Sequence, residues 1–165
     1  MNKKVIYLAS GYGVLDTVYD VTYNDCYIQR DLVCDMMQVD LSIFDILLAS
    51  PPCNYWGRVN YRRDISVYAQ STKHLLPDIL KKFIKTGKPF IVENVINKKL
   101  MKDIIKSCPI NVFYFEIGRH CYFTNINFTT SDLNFPCENV QNLSRKNRQG
   151  SGGVNIVFNR FLACI

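Results

Sequence analysis

The chain has no Cys-x-x-Cys pair and only two histidines, His74 and His120, so nothing suggests a zinc framework. Its seven cysteines (Cys26, Cys34, Cys53, Cys108, Cys121, Cys137 and Cys164) are odd in number and irregularly spaced, which suggests no disulfide scaffold and leaves the thiols expected reduced. The longest apolar stretch, Ile43 to Pro52, is interrupted by Asp45 and falls far short of the ~18–20 residues needed to cross a bilayer. The opening residues carry two lysines, but the apolar run after them ends within a few positions, which argues against a secretory signal. Internal repeats, low-complexity segments and linkers are absent as well. An apolar content of 48% excludes a disordered tail, and 165 residues suit one domain able to bury its own core. The expectation is a soluble, cytoplasmic protein with a single domain over residues 1–165.

The net charge of +6 comes from twenty basic against fourteen acidic residues. Part of the excess is local, in Arg58, Arg62 and Arg63 and again in Arg145, Lys146 and Arg148. Such clusters are compatible with a polyanionic partner and equally with an ordinary solvated surface.

The order of elements reads as α/β. Short apolar runs at Val5–Ala9, Val21–Tyr23, Leu32–Cys34, Ile43–Ala49 and Phe90–Val92 have the character of strands, the fourth buried on both faces and ended by Pro51-Pro52. Tyr68 to Phe83 carries apolar pairs at helical spacing, with Pro77 marking a kink or a new start, and Leu100 to Ile105 gives another amphipathic helix. Residues 112–115 and 121–123, separated by Gly118, read as a pair of strands, and Val154 to Cys164 as either helix or strand. Alternation of this kind predicts a mostly parallel, Rossmann-like sheet with helices on both faces.

Ligands of such folds bind beyond the carboxyl ends of the strands. The chemically distinctive residues follow the strands: Gly11 and Gly13 the first, Asp25 the second, Asp35 the third, Ser50-Pro51-Pro52-Cys53 the fourth and Glu93-Asn94 the fifth. Singly, each has a plain structural explanation as a turn, a helix cap or a buried thiol. Together they converge on one sheet edge.

Asp45-Ile46-Leu47-Leu48-Ala49-Ser50-Pro51-Pro52-Cys53 and Glu93-Asn94-Val95, with the cysteine and glutamate 40 residues apart (93 − 53), resemble the DNA (cytosine-5)-methyltransferase family, above all its short phage-encoded members. The resemblance spans about residues 5–125 and is specific around 44–56 and 90–95. It implies a reduced fold of the S-adenosylmethionine-dependent methyltransferase type and methyl transfer to carbon 5 of cytosine in DNA. Cys53 would be the nucleophile, since a thiolate attacks carbon 6 and leaves again by elimination. Glu93 would act at N3 and the exocyclic amine of the base, and Arg119 would contact base or adduct. Gly11 and Gly13 would let the backbone approach the methionine part of S-adenosylmethionine, Asp25 would accept from its ribose hydroxyls, Asp35 would bind the adenine amine, and Pro51 would line the donor pocket. Asn54, Trp56 and Arg58 follow the nucleophile in an aromatic, basic loop suited to closing over the base and its phosphate; for Trp56 and Arg58 the plain alternative is core packing and solvent exposure. With Arg62, Arg63, Arg145, Lys146 and Arg148 they complete the candidate nucleic-acid residues.

The chain also departs from the family pattern. Tyr7 and Ala9 stand where the first family motif has Asp and Phe, and the family's Gln-x-Arg-x-Arg arrangement is missing. Only eleven residues (14 to 24) separate Gly13 from Asp25, too few for the helix that normally follows the first strand. These departures keep open an inactive relative that binds nucleic acid or a partner enzyme. Little chain remains after Asn125 for target recognition beyond the polar stretch 127–148, which leaves room for a second subunit to complete a site.

Overall fold

In the computed structural model, which describes residues 3–57, 60–127 and 152–165, seven strands form one sheet. They are β1 (Lys4–Leu8), β2 (Asp20–Asp25), β3 (Leu32–Val33), β4 (Ile46–Ala49), β5 (Phe90–Val95), β6 (Phe113–Ile117) and β7 (His120–Thr124). Their order is β3-β2-β1-β4-β5-β7-β6. The first five are mutually parallel, and β7 runs antiparallel to both β5 and β6. The series 3-2-1-4-5 is that of a doubly wound sheet, in which the winding reverses between β1 and β4 and opens a crevice at their carboxyl ends.

Alternation along the strands divides the core in two. Ile6, Leu8, Leu47, Ala49, Phe90 and Val92 pack with Leu76, Ile79, Leu80 and Phe83 of helix α2 (Leu75–Thr86) and Met101 of α3 (Lys98–Ser107). Val5, Tyr7, Ile46, Leu48, Ile91 and Tyr122 pack with Val154, Val157, Phe158, Phe161 and Leu162 of α4 (Gly152–Ala163). The final apolar stretch is therefore a helix. Its twelve residues exceed the usual strand length, and burial accounts for its high apolar content.

β1 and β2 are joined by residues 9–19 without a helix. A parallel crossover usually needs a dozen or more residues and a helix to cover the sheet. Here α4, from the far end of the chain, packs on that face over Tyr7 and Leu15.

The long helical stretch is two helices, α1 (Val67–Thr72) and α2. Pro77 falls in the first turn of α2, where the missing N–H would have had no intrahelical acceptor. β4 begins later than the apolar run: Ile43 is exposed, and Asp45 exchanges hydrogen bonds with the Lys4 backbone, its N–H donating to Lys4 O (2.8 Å) and its Oδ2 accepting from Lys4 N (2.8 Å). The preceding segment is held by two lysines. Lys82 Nζ donates to Met37 O (2.8 Å) and Val39 O (2.7 Å), and Lys88 Nζ to Leu41 O and Ser42 O (2.8 Å each). No helix among the described residues is long and apolar enough to cross a membrane.

Candidate active site

At the crevice lies a cavity of about 470 Å³, within the range of small-molecule sites. Its walls come from the ends of five strands. Ala9, Gly11 and Tyr12 follow β1, and Asp25, Cys26 and Tyr27 end and follow β2. Asp35 and Met36 follow β3, and Ser50 to Asn54 follow β4. Glu93 and Val95 close it from β5, with His120 from the neighbouring β7.

Cys53 sits at the exposed rim, on a turn in which its carbonyl accepts from Trp56 N (3.0 Å) and Gly57 N (2.9 Å). Two buried asparagines hold this turn from behind. Asn94 Nδ2 donates to Pro51 O (3.0 Å), and Asn97 Nδ2 donates to Trp56 O (2.9 Å) while its Oδ1 caps α3. The position of the sulfur is thus set by β5 and the start of α3 as well as by the two prolines. Asn94→Ala would leave the Pro51 carbonyl without its donor. We expect it to lower stability by about 1–3 kcal/mol, as read in urea unfolding, and to loosen the Cys53 turn.

Walls that strip water from the sulfur, and then the nearby Glu93 carboxylate, push the Cys53 thiol above its ordinary pKa. Cys121 contrasts with it: fully buried between Val95 O and the Met101 sulfur, it is pushed up to about 12 by burial, with no access to solvent. Glu93 is buried, and its Oε1 lies 2.5 Å from His120 Nδ1.

The opposite wall is built from the β1 turn. Ala9 leaves the strand at φ 50°, a left-handed conformation that costs an L-residue roughly 1–2 kcal/mol, and Gly11 continues at φ 55°. Asp25 braces this turn: its Oδ2 accepts from Gly11 N (3.1 Å), and its Oδ1 from Tyr27 N (2.8 Å) and Ile28 N (3.2 Å). Arg30 braces it from the other side, its guanidinium donating to Gly11 O and Gly13 O and lying over the Tyr23 ring. Three of the roughly four acceptor positions of Asp25 are therefore occupied. Asp35 caps the short 3-10 helix Met36–Gln38 through Oδ1, which accepts from Met37 N (2.9 Å), and its Oδ2 has no partner among the described residues. Tyr7, in place of an acid, is buried with its hydroxyl 3.1 Å from Ser50 Oγ, and burial raises its pKa.

The cavity brings together Gly11, Asp25, Asp35, Pro51, Cys53, Asn54 and Glu93. Gly13 lies outside it. A Cβ there would stand 3.0 Å from both Ser10 O and Asn155 Oδ1, so this glycine serves the close approach of α4. Arg119 is also outside: it occupies the exposed two-residue β6–β7 turn, where Gly118 at φ 62° takes the first central position of a type II′ hairpin. His120, the next residue, faces the cavity instead. Trp56 is buried in the core with its ring edge-on to Tyr55, because the turn after Cys53 folds back toward the sheet. Arg63 is likewise turned inward, donating to Gly57 O (2.7 Å), whereas Arg62 is exposed over the Tyr61 ring. Arg58, Arg145, Lys146 and Arg148 lie outside the described residues.

Asn94, Asn97, Arg30 and His120 were not among the site residues expected from sequence. Asn94 had a signal, since it stands inside Glu93-Asn94-Val95. The others act on backbone or side chains far away in sequence and had none.

Among the described residues the lining carries three carboxylates, Asp25, Asp35 and Glu93, and no lysine or arginine, although the chain as a whole is basic. Such a site disfavours phosphates and suits a cationic or neutral ligand. The missing helix after β1 removes the N-terminal N–H groups that hold a pyrophosphate in dinucleotide-binding folds. Exposed Tyr12, Tyr27 and Tyr68 at the mouth offer faces for a planar heterocycle. The residues present thus fit a sulfonium nucleoside such as S-adenosylmethionine better than a nucleotide cofactor. Comparison with protein-family models and with curated proteins returned no match to this chain.

Proposed function

We propose that the protein transfers a methyl group from S-adenosylmethionine to carbon 5 of cytosine in DNA. The observation that carries this reading is a single cavity at the β1/β4 crevice holding the Cys53 thiol and the Glu93 carboxylate beside Asp25, Asp35 and the Gly11 turn. An enzyme joining two substrates needs both binding halves in one continuous space. On this reading the sheet is a reduced methyltransferase-type domain.

Asp35, through Oδ2, would take the adenine amine, the Asp25–Gly11 turn would meet the ribose and methionine parts, and Pro51 would separate donor from base. When bound, the donor supplies an electrophilic methyl group on sulfur. Cys53 forms a bond to carbon 6 of the base, turning carbon 5 into a nucleophile that would take the methyl as its bond to the donor sulfur breaks; the carbon 5 proton then passes to water, and Cys53 leaves with the electron pair of its bond to carbon 6. Glu93 would pass a proton to N3 as negative charge develops on the ring, its other oxygen accepting from the exocyclic amine. A duplex substrate must flip the base into the cavity, at a cost of a few kcal/mol of stacking. The acidic lining disfavours phosphates inside the cavity and leaves them outside it.

The test is transfer of a labelled methyl group to DNA, with calorimetry of S-adenosylmethionine binding and covalent trapping on DNA containing 5-fluorocytosine, whose fluorine blocks elimination. No transfer, no donor binding and no adduct together would end the enzyme reading. The helix-free β1–β2 connection and the extensively bonded Asp25 favour the second reading, an inactive relative that binds nucleic acid or a partner enzyme. Binding nucleic acid without chemistry would retard DNA in a salt-sensitive way.

A further inference from the structure

We propose that His120 is the positioning residue of Glu93, and that its imidazolium form compensates the Glu93 charge so that Cys53 can ionise beside it. The inference rests on the reading of Cys53 as nucleophile. It adds a residue that the family resemblance did not assign, in place of Arg119.

Geometry carries it. His120 Nδ1 and Glu93 Oε1 are 2.5 Å apart, the histidine side chain is 22% exposed and the glutamate 9%, and both line the cavity with Cys53. Hairpin register brings them together. β7 pairs with β5 so that His120 stands opposite Val95 and Tyr122 opposite Glu93, and Ile96 N donates to Arg119 O (3.1 Å) to hold the turn. Because side chains alternate along a strand, a shift by one residue would replace the imidazole with Arg119 or Cys121. With Oε1 engaged, Glu93 is held in one orientation, and its Oε2 has no partner among the described residues.

Around the pair, the titratable groups that feel Glu93 among the described residues include Cys53 after β4, Tyr7 on β1, and Cys121 and Tyr122 on β7. Glu116 of β6 adds a further carboxylate near Cys121, and α4 contributes only apolar Val154 to the cavity. None of these groups carries a positive charge. Among the described residues of the cavity lining, His120 is the one basic side chain able to offset the carboxylates.

The test follows iodoacetamide alkylation of Cys53 against pH, resolved by mass spectrometry, in wild type, His120→Gln and His120→Asn. With His120 bonded to it, Glu93 opposes the thiolate less and the thiolate forms more readily; once the thiol is fully ionised at alkaline pH, that difference no longer affects the rate. Wild type should therefore react about three- to tenfold faster than either variant at acid pH, and equally fast at alkaline pH. In a Glu93→Gln background the His120→Gln effect should vanish, since His120 acts through Glu93. A wild-type-to-variant ratio that stays constant across pH, or an effect undiminished in the Glu93→Gln background, would overturn the proposal. Two substitutions guard against one that merely unfolds. Alkylation does not require methyl transfer, so a protein that shows the coupling but transfers no methyl group would separate failure of the proposed function from failure of this one.

Discussion

Cys53→Ala is expected to abolish methyl transfer, by at least ~10⁴-fold, together with the covalent complex on 5-fluorocytosine DNA, while leaving the fold unchanged. The fold should survive because the side chain lies at the exposed rim and the turn is held by backbone groups: the Cys53 carbonyl, Pro51 O and Trp56 O. Cys53→Ser should fail almost as completely, since an alcohol is a far poorer nucleophile than a thiolate at neutral pH. Both variants should still bind the donor. Wild-type transfer should also rise with pH. Loss of hydration and the Glu93 charge raise the thiol's pKa, so the reactive thiolate is the minority form at neutral pH, and its population grows toward the alkaline side. A transfer rate independent of pH through this range, or a Cys53→Ala protein that keeps its activity, would remove Cys53 from the chemistry.

Much of the sheet edge was legible because buried parallel strands appear as unbroken apolar runs, and the polar or proline-rich residues that stop them must sit at the strand ends. Ile46–Ala49 followed by Ser50-Pro51-Pro52-Cys53 is the clearest instance, and Asp25 and Asp35 follow the same logic at β2 and β3. The short β1–β2 connection was legible from its length alone. What covers that face instead was not, because α4 lies more than a hundred residues away; that it is a helix agrees with Val154, Val157, Phe158, Phe161 and Leu162 recurring at helical spacing between Asn155, Asn159 and Arg160, but spacing does not say which sheet face it packs on.

The expected residues that lie away from the cavity share one physical origin. Arg119 and His120 are neighbours, and which of them enters the cavity depends on hairpin register and on Gly118 taking the left-handed position, neither of which is encoded by residue type at 119 or 120. Trp56 and Arg63 have side chains that serve equally well at a nucleic-acid surface or folded inward, and the turn geometry after Cys53 decides between the two. The Asn94 and Asn97 contacts to the nucleophile turn span 43 and 41 residues, distances at which a single sequence carries no pairing information. Motif residues can be placed on an edge from sequence; the second layer that aims them needs the tertiary structure.

Glu93→Gln should move two properties of the site in opposite directions. Methyl transfer should fall by about 10²–10⁴-fold, because the amide no longer supplies the carboxyl group that stabilises the base as charge develops on it. Alkylation of Cys53 at neutral pH should become faster. After loss of hydration, the Glu93 charge is the next cause that raises the Cys53 pKa, and glutamine is nearly isosteric but uncharged, so removing that charge lowers the thiol's pKa and increases the thiolate fraction at any pH below it. The two measurements together separate an electrostatic role from a structural one. A variant that merely loosened the site would lose transfer and change Cys53 reactivity equally at every pH. One that removed the charge alone shifts the whole alkylation profile toward lower pH and leaves its alkaline plateau in place. If Glu93→Gln slowed both reactions, Glu93 would be holding the Cys53 turn in shape, and its part in the chemistry of the base would have to be assigned to another group in the cavity.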